Sequence, residues 1–341
     1  MIHVASAFIG GCKNFGKAFA VSSLAGLLMT TTAYSLDLQG HRGARGLMPE
    51  NTLPAFARAL SIGVTTLELD CAITRDGIVV VSHDPALNPD ITRGPDGKWL
   101  QQEGPPIWNL TYDELERYDV GRIKPGSAYA VRFLKQKALD GTRIPRLAEV
   151  FALARKAAND AVRFNIETKI SPLHPGRTTT PEDFARRLIA LVRQENMAER
   201  VTIQSFDWRT LQVVQKEAPE IPTVYLSDQR NSTGNILAGQ AESPWTAGLH
   251  VRDFGGSIPR MVKAAGGAGW SPYYGDVTRE NVGEAHALGL KIVVWTVNNK
   301  ANIRRMLALG VEGIISDYPD LLRKVAEEEG AALPPATPVN P

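Results

Sequence analysis

The sequence of 341 residues contains only two cysteines, Cys12 and Cys71. Cys12 lies in an N-terminal segment that we expect to be removed, so the mature chain would keep one thiol and form no intramolecular disulfide. The content of 43% hydrophobic and 22% charged residues is ordinary for a globular protein with a sizeable core. These features fit an exported bacterial protein that is stabilised by its core rather than by cross-links.

The sequence also lacks an excess of charge of either sign. It has 38 basic and 36 acidic residues, a formal charge of +2, and removal of residues 1–35 takes away two lysines and no acid, which leaves 36 of each. A neutral chain without a long basic run offers little electrostatic attraction to nucleic acid or to an anionic membrane, so we expect neither nucleic-acid binding nor stable membrane association. No repeat or coiled-coil pattern reports on the oligomeric state, which the sequence leaves open.

Residues 1–35 have the layout of a secretory signal peptide. Lys13 and Lys17 are their only charged residues, and an apolar stretch over 18–29 is followed by small residues up to Ser35. We expect cleavage near Ser35 and export, to the periplasm in a bacterium. An uncleaved anchor is the alternative, but the apolar stretch is short for a membrane span.

After this leader, strand-like runs alternate with helical patterns about eight times in roughly 290 residues. The predicted barrel strands are residues 37–41, 66–73, 162–169, 200–206, 222–226, 269–271, 291–297 and 313–316, and the predicted helices are 53–61, 181–194, one that ends near 216, 278–288, 300–309 and 319–328. The count and length favour an α/β fold, a single (β/α)8 TIM barrel over residues 36–330. A doubly wound open sheet is the alternative, because sequence alone does not show whether the sheet closes.

Two segments interrupt the alternation. Residues 84–145, after the second barrel strand, are rich in glycine and proline and contain at most one helix, near 112–118, so we interpret them as an inserted subdomain. Residues 227–258 form a second irregular stretch. The Pro/Ala-rich residues 331–341 are predicted to be a disordered tail.

One face of the strand-like run TLELDCAI, residues 66–73, is acidic. Because successive side chains of a strand point to opposite faces, Glu68 and Asp70 share one face and the apolar residues beside them share the other. In a barrel the two carboxylates would lie inside and close together. Such a pair repels unless a proton or a cation lies between its members, and a hard divalent metal is the economical interpretation.

The run RFNIETK, residues 163–169, adds a third acid to this face. The same alternation places Asn165, Glu167 and Lys169 together. Three acids without a cysteine ligand favour one Mg²⁺ or Ca²⁺ ion over zinc, and the sequence does not distinguish between the two. The alternative is a set of structural ion pairs with Lys169 or Arg42 at the barrel rim.

Two histidines also end strand-like runs, where the loops of a barrel converge. His41 ends the first strand and His83 ends the run 78–82. Imidazole transfers protons near neutral pH, although a single histidine at a strand end is more often structural. Arg42 and Lys169 would suit phosphate oxygens, so the whole set is typical of phosphoryl transfer, with one histidine removing a proton and the other protonating the leaving oxygen.

Five runs of the sequence resemble a known enzyme family: HRGARGLMPENTLPAF, ELDCAITRDGIVVVSHD, NIETK, WTVNN and GVEGIISDYP. The family is the glycerophosphodiester phosphodiesterases, in particular the exported type, and the resemblance extends over residues 36–322. It implies a (β/α)8 barrel with a subdomain inserted after the second strand. It also implies metal-dependent hydrolysis of a glycerophosphodiester, such as glycerophosphocholine or glycerophosphoethanolamine, to sn-glycerol 3-phosphate and an alcohol.

The resemblance further implies roles for individual residues. Glu68, Asp70 and Glu167 become the metal ligands, His41 and His83 the general acid–base pair, and Arg42 and Lys169 the phosphate contacts. In the family, the glycerol hydroxyl next to the phosphate is thought to attack first, and water then opens the cyclic phosphate.

Other motif residues have structural interpretations. Trp295, at the end of the seventh strand, is a candidate for the glycerol pocket, with a core position as the alternative. Asn51 and Thr52 are expected to shape and cap the first turn, and Asp317 to cap the last helix. Two other functions stay open: an enzyme for membrane lipids, such as a lysophospholipase D or a phosphatidylinositol-type phospholipase C, and an inactive binding protein on the same barrel.

Overall fold

The computed structural model describes residues 35–230 and 234–341, so the predicted signal peptide lies outside the described residues apart from Ser35. The described chain forms one sheet of nine strands. These are β1 (Asp37–Gly40), β2 (Thr66–Ile73), β3 (Val79–Val81), β4 (Arg163–Thr168), β5 (Val201–Ser205), β6 (Thr223–Ser227), β7 (Gly269–Pro272), β8 (Lys291–Val294) and β9 (Gly313–Ser316). Each of the eight predicted barrel strands is present, and no end differs from its prediction by more than three residues.

The sheet closes into a parallel barrel. β1 pairs in parallel with β9 on one side and with β2 on the other, and parallel pairing continues from β2 through β4, β5, β6, β7 and β8 to β9. The remaining strand, β3, pairs antiparallel with β2 after a turn in which Gly77 has φ of 85°. Closure excludes the doubly wound open sheet and confirms the (β/α)8 barrel.

Helices surround the barrel. They are α1 (Leu53–Ile62), α2 (Tyr112–Leu115), α3 (Leu147–Lys156), α4 (Pro181–Gln194), α5 (Trp208–Glu217), α6 (Ile258–Ala264), α7 (Arg279–Ala287), α8 (Lys300–Leu309) and α9 (Pro319–Glu328). The sequence interpretation misses α3, which begins directly after the Gly/Pro-rich segment, and α6, which has seven residues between glycine-containing turns. Across the described ranges, none of these helices combines the length and apolar character needed to span a bilayer.

The core lies between the barrel wall and these helices. Leu67, Leu69 and Cys71 are fully buried in it, on the outer face of β2, as the alternation of TLELDCAI predicts. Phe164 of β4 contacts Phe151 of α3 edge to face, with ring centroids 4.9 Å apart. The opposite faces of β2 and β4 therefore point into the barrel, where Glu68, Asp70 and Glu167 lie.

Residues 84–145 contain α2 and two short 3-10 turns but no strand longer than an isolated bridge. Apolar residues of this segment form a second, smaller core with β2 and β3: Ala72, Val80, Leu87, Ile107, Tyr112, Leu115, Val120 and Ile144. This cluster attaches the segment to the barrel.

Residues 331–341 have no helix or strand, yet they lie against the barrel. The Thr337 amide donates to the Leu60 carbonyl at 2.9 Å, and the Asn159 side chain donates to the Thr337 hydroxyl at 3.0 Å. Leu333 and Val339 pack on the main core. This arrangement differs from the predicted disorder because two apolar side chains in the Pro/Ala-rich tail find a surface on which to pack.

Candidate active site

A cavity of about 560 Å³ opens at the carboxyl ends of the barrel strands. Seven of the eight predicted site residues line it: His41, Arg42, Glu68, His83, Glu167, Lys169 and Trp295. The eighth, Asp70, is 1% exposed and lies directly behind them, 3.9 Å from the Lys169 amine. The barrel therefore brings together residues that are up to 254 positions apart, from 41 to 295.

The turn after β1 positions His41 and Arg42. Arg42 has φ of 50° and Gly43 has φ of 81°, and a Cβ added at Gly43 would lie 2.7 Å from the carbonyl carbon of Ala55. Only glycine fits that close approach to α1. Thr52 caps α1, as the sequence predicts, by accepting from the Ala55 amide.

The three acids form one cluster. One oxygen each of Glu68, Asp70 and Glu167 lies within 4.8 Å of the other two, because the parallel register sets Asp70 directly opposite Glu167. Glu68 accepts from the Gln204 side chain and from the Arg42 amide, both at 2.9 Å.

Asp70 is held by a residue that the sequence interpretation treats as a turn former. The Asn51 side chain donates to Asp70 Oδ2 at 2.9 Å. The other oxygen, Oδ1, is buried and has no hydrogen-bond partner within the described residues. Leaving a buried carboxylate oxygen unsatisfied is costly, and a cation at that point would satisfy it.

The pKa values of the clustered acids also favour a cation at this point. Burial raises the pKa of Glu68 well above its ordinary range, and the charge of Asp70 adds to the effect. Burial also raises the pKa of Glu167 to about 7, although Lys169 opposes the rise. Asp70 differs, because the charge of Arg42 lowers its pKa despite burial. Two acids that resist ionising beside an ionised third suit a hard divalent cation, and their oxygen donors fit Mg²⁺ or Ca²⁺.

The two predicted phosphate contacts lie beside the acids. Arg42 Nη1 donates to Glu50 at 2.6 Å, its Nε lies 3.2 Å from Asp70, and Lys169 donates to Glu167 at 2.7 Å. These are the ion pairs of the structural alternative, and they leave Asp70 Oδ1 without a hydrogen bond. Ion pairing alone therefore does not account for the cluster, while both cations border a cavity open to an anion.

His41 is fixed by an acid from the far end of the chain. Its Nδ1 lies 2.6 Å from Asp317 Oδ1, and its Nε2 lies 3.8 Å from Glu68. Burial lowers the pKa of His41 to about 4, with the charge of Arg45 adding and Asp317 opposing. The imidazole is thus neutral at pH 7, and donation from Nδ1 to the carboxylate leaves the Nε2 electron pair free.

Asp317 does not cap the last helix, contrary to the prediction. The cap position of α9 is Tyr318, which makes no side-chain capping bond. Asp317 instead accepts from Arg45 at 2.7 and 3.0 Å and from Asn298 at 2.6 Å. These bonds fix the carboxylate that orients His41.

His83 has a similar but more open setting. Its Nδ1 lies 2.8 Å from Asp84, which in turn accepts from the Asn88 side chain at 2.7 Å. Burial lowers the pKa of His83, and the charge of Arg42 adds to the effect. The side chain of His83 is 32% exposed, against 11% for His41.

Sequence reasoning missed four further residues of the site: Arg45, Glu50, Tyr129 and Asn298. Glu50 is buried, accepts from Arg42 and also accepts a short hydrogen bond from the Tyr129 hydroxyl. The sequence signal for Glu50 is its position in the run PENT, next to Asn51 and Thr52. That run has the composition of a turn, so it indicates a structural role rather than a site residue. Nothing in the local sequence points to Tyr129, which lies in segment 84–145.

Trp295 lines the cavity and is only partly buried, so it is not a core residue. Its indole donates to the Ser271 carbonyl at 2.9 Å, and its ring meets Phe206 edge to face at 5.3 Å. Both rings line the cavity.

A second cavity of about 380 Å³ adjoins the first. The two share His83, Glu167, Lys169, Phe206, Arg230 and Trp295. We call the second cavity the apolar chamber, because most of its exposed lining surface is apolar. Besides the shared residues it is lined by Pro85, Ile170 and Trp245 and by the polar residues Ser171, His174, Arg177, Thr178, Asp228 and Asn235. An apolar space therefore begins within reach of the acid cluster.

The chain is similar to known proteins over most of its length. A model of the glycerophosphoryl diester phosphodiesterase family matches residues 41–321. The chain is 31% identical over 291 residues to a glycerophosphodiester phosphodiesterase of Caldanaerobacter subterraneus subsp. tengcongensis, with 85% of this chain and 97% of the relative covered.

Solved structures show the same fold. A candidate glycerophosphoryl diester phosphodiesterase from Silicibacter pomeroyi DSS-3 superposes with a TM-score of 0.77 at 36% identity, covering 88% of this chain and 95% of the other. A phosphodiesterase of Oleispira antarctica, solved with the product sn-glycerol-3-phosphate, gives a TM-score of 0.60 at 21% identity, covering 85% and 96%. The chain belongs to the glycerophosphoryl diester phosphodiesterase family, a family of phosphoric diester hydrolases.

Proposed function

We propose that this glycerophosphodiester phosphodiesterase requires one divalent cation and uses His41 and His83 as its acid–base pair on small substrates such as glycerophosphocholine. The main support is the buried cluster of Glu68, Asp70 and Glu167, with one carboxylate oxygen unsatisfied. The product found with the Oleispira antarctica relative, sn-glycerol-3-phosphate, is the product that this reaction would release.

Different residues of the cavity would bind different parts of the substrate. Arg42 and Lys169 border the space next to the acid cluster and would hold the phosphate of the diester. A cation held by the three acids would supply further positive charge to the phosphate oxygens. The Trp295 ring would pack on the carbon atoms of the glycerol.

Proton transfer follows from the settings of the two histidines. His41, with Nδ1 bonded to Asp317, takes the proton of the attacking hydroxyl on Nε2 while that oxygen forms a bond to phosphorus. The bond from phosphorus to the alcohol oxygen breaks, and His83, in its protonated form, donates a proton to that oxygen. With the glycerol hydroxyl as the attacking group the product is a cyclic phosphate, which water then opens: His83 takes a proton from the water, and His41 returns its proton to the glycerol oxygen. The greater exposure of His83 suits contact with an alcohol that must leave.

Removal of divalent metal tests the cation. Dialysis against EDTA is expected to abolish release of choline and glycerol 3-phosphate from glycerophosphocholine, because the acid cluster then lacks the charge that helps to bind phosphate. Addition of Ca²⁺ or Mg²⁺ should restore it, and a sample dialysed without EDTA serves as the control. Full activity in EDTA would refute metal dependence and leave the acids with a structural role.

The apolar chamber favours lysophospholipids as a second class of substrate, which would make the enzyme a lysophospholipase D. Each CH₂ removed from water contributes about 0.8 kcal/mol, so an alkyl chain in this chamber would add substantially to binding. The ratio of kcat/KM for lysophosphatidylcholine to that for glycerophosphocholine should fall about tenfold or more in Trp245→Ala. Trp99→Ala, outside the chamber, is the matched control, and an unchanged ratio in Trp245→Ala would exclude alkyl binding there.

The proposal includes export. Residues 1–35 would direct the chain out of the cytoplasm and be removed. Sequencing the N-terminus of the protein recovered from a periplasmic fraction should give a start near residue 36, whereas an intact N-terminus in the cytoplasmic fraction would contradict export.

A further inference from the structure

Residues 120–139, which we call the rim segment, have an unusual charge. The run VGRIKPGSAYAVRFLKQKAL contains five basic residues and no acid, within a chain whose residues 36–341 are neutral overall. Overall neutrality therefore conceals a local excess of positive charge.

The rim segment borders the catalytic cavity. Tyr129 and Arg132 line that cavity. The ring of Phe133 is buried beneath the Arg45 guanidinium at 4.7 Å, and the Gln136 side chain donates to the Arg45 carbonyl at 2.7 Å. The segment is thus anchored to the residue that holds Asp317.

Several exposed side chains of the rim segment are large and apolar. Within residues 35–230 and 234–341, four large hydrophobic side chains are exposed, and three of them lie in the rim segment: Val131 at 68%, Leu134 at 84% and Leu139 at 44%. The fourth, Leu173, follows β4 and so lies on the same catalytic side of the barrel. Exposed apolar groups that cluster at one site mark an interaction surface.

The cations of the rim segment are not neutralised by neighbouring acids. Lys124, Arg132, Lys135 and Lys137 form no ion pair with any part of the chain that the structure describes, and only Arg122 is paired, with Asp140. Exposed arginines elsewhere do pair, as Arg186 does with Glu217. The charge is therefore available to an external anion.

We propose that the rim segment docks the catalytic face of the protein on an anionic lipid bilayer. Val131 and Leu134 enter the headgroup region, and the lysines contact lipid phosphates. A nucleic acid or another soluble polyanion would match the charge, but it would not remove these aliphatic side chains from water, and that removal is the favourable step. The expectation of no stable membrane association rests on the total charge and on the lack of a long basic run, and neither describes the local surface formed by the rim segment.

Docking would hold the mouth of the cavity at the membrane surface. This inference is independent of the proposed metal and histidine roles, since it concerns binding rather than turnover. A protein without activity could still dock, and an active protein could fail to dock.

Vesicle flotation with the mature protein tests the inference. The vesicles contain phosphatidylcholine alone, or phosphatidylcholine and phosphatidylglycerol in equal parts, at ~0.15 M salt. We expect binding to the anionic vesicles only. V131S/L134S and K124Q/K135Q/K137Q should each bind more weakly, the lysine variant roughly 100-fold.

Lys216→Gln, on α5 outside the rim segment, is the charge control and should bind as the unmodified chain does. Circular dichroism melting of each variant separates lost docking from lost folding. No binding of the unmodified chain to anionic vesicles would overturn the proposal. Binding that the lysine variant loses and V131S/L134S keeps would also overturn it, because the contact would then be purely electrostatic and the aliphatic side chains would not enter the bilayer.

Discussion

Asp70→Asn is expected to lower kcat/KM for glycerophosphocholine by at least about 10³-fold. The substitution keeps the shape of the side chain but removes its negative charge. One oxygen of the Asp70 carboxylate, Oδ1, is buried without a hydrogen-bond partner among the described residues. Two acids would remain, and they bind a hard cation much more weakly than three. Colorimetric assay of choline release gives the rate, and isothermal titration with Ca²⁺ and with Mg²⁺ gives the affinity.

The same variant should also differ from the unmodified chain in how added metal changes its stability. A ligand that binds only the folded chain raises its free energy of unfolding, so Ca²⁺ or Mg²⁺ should raise the melting temperature of the unmodified chain and not that of Asp70→Asn. Asp113→Asn, an exposed acid of α2, is the matched control and should respond as the unmodified chain does. Normal metal affinity in Asp70→Asn would disprove the assignment of the acid cluster as the metal site.

Asp317→Asn is the second substitution with a large expected effect, a loss of about 10²-fold to 10⁴-fold in kcat with little change in KM. An amide in place of the carboxylate can donate to His41 Nδ1, which would move the imidazole proton to Nε2 and remove the electron pair that takes a proton. Arg42 and Lys169, the proposed phosphate contacts, form no hydrogen bond or ion pair with Asp317 within the described residues, so KM should be largely preserved.

Double substitution separates this orienting role from a general loss of structure. Residues that act as one unit are not additive, so His41→Ala with Asp317→Asn should be no slower than His41→Ala alone. If the two losses multiply instead, Asp317 acts on something other than His41. Thermal melting of Asp317→Asn and of Asn298→Ala controls for local destabilisation. The second variant keeps the carboxylate but removes its Asn298 donor, together with the oxygen that accepts from the Asp317 amide and the Ser316 hydroxyl.

Period-two alternation in β2 and in β4 is enough to predict which acids enter the barrel, because it depends only on neighbouring residues. The barrel strands were found for a similar reason, since each is a short run with its own turn signals. Glu68, Asp70 and Glu167 could therefore be grouped before any contact was known.

Asp317 shows where such reasoning ends. An aspartate just before a helix that begins with proline fits a helix cap, and its real partner, His41, is 276 residues away. Tyr129 and Glu50 are 79 residues apart, and their contact depends on how segment 84–145 folds over the barrel. Alternation along one strand indicates the side of the sheet on which a side chain lies. It does not indicate which residue of a distant strand that side chain contacts.

Pairing of β1 with β9 has a consequence for when the enzyme becomes active. During translation His41 is added early and Asp317 near the end of the chain. Their contact forms only when β9, the last strand, pairs with β1. Contacts between such distant parts of a chain form slowly and late in folding. A nascent or truncated chain that ends before Gly313 would contain all three acids of the cluster and both histidines, but His41 would lack the partner that orients it. Catalytic competence is therefore delayed until the whole barrel has been made.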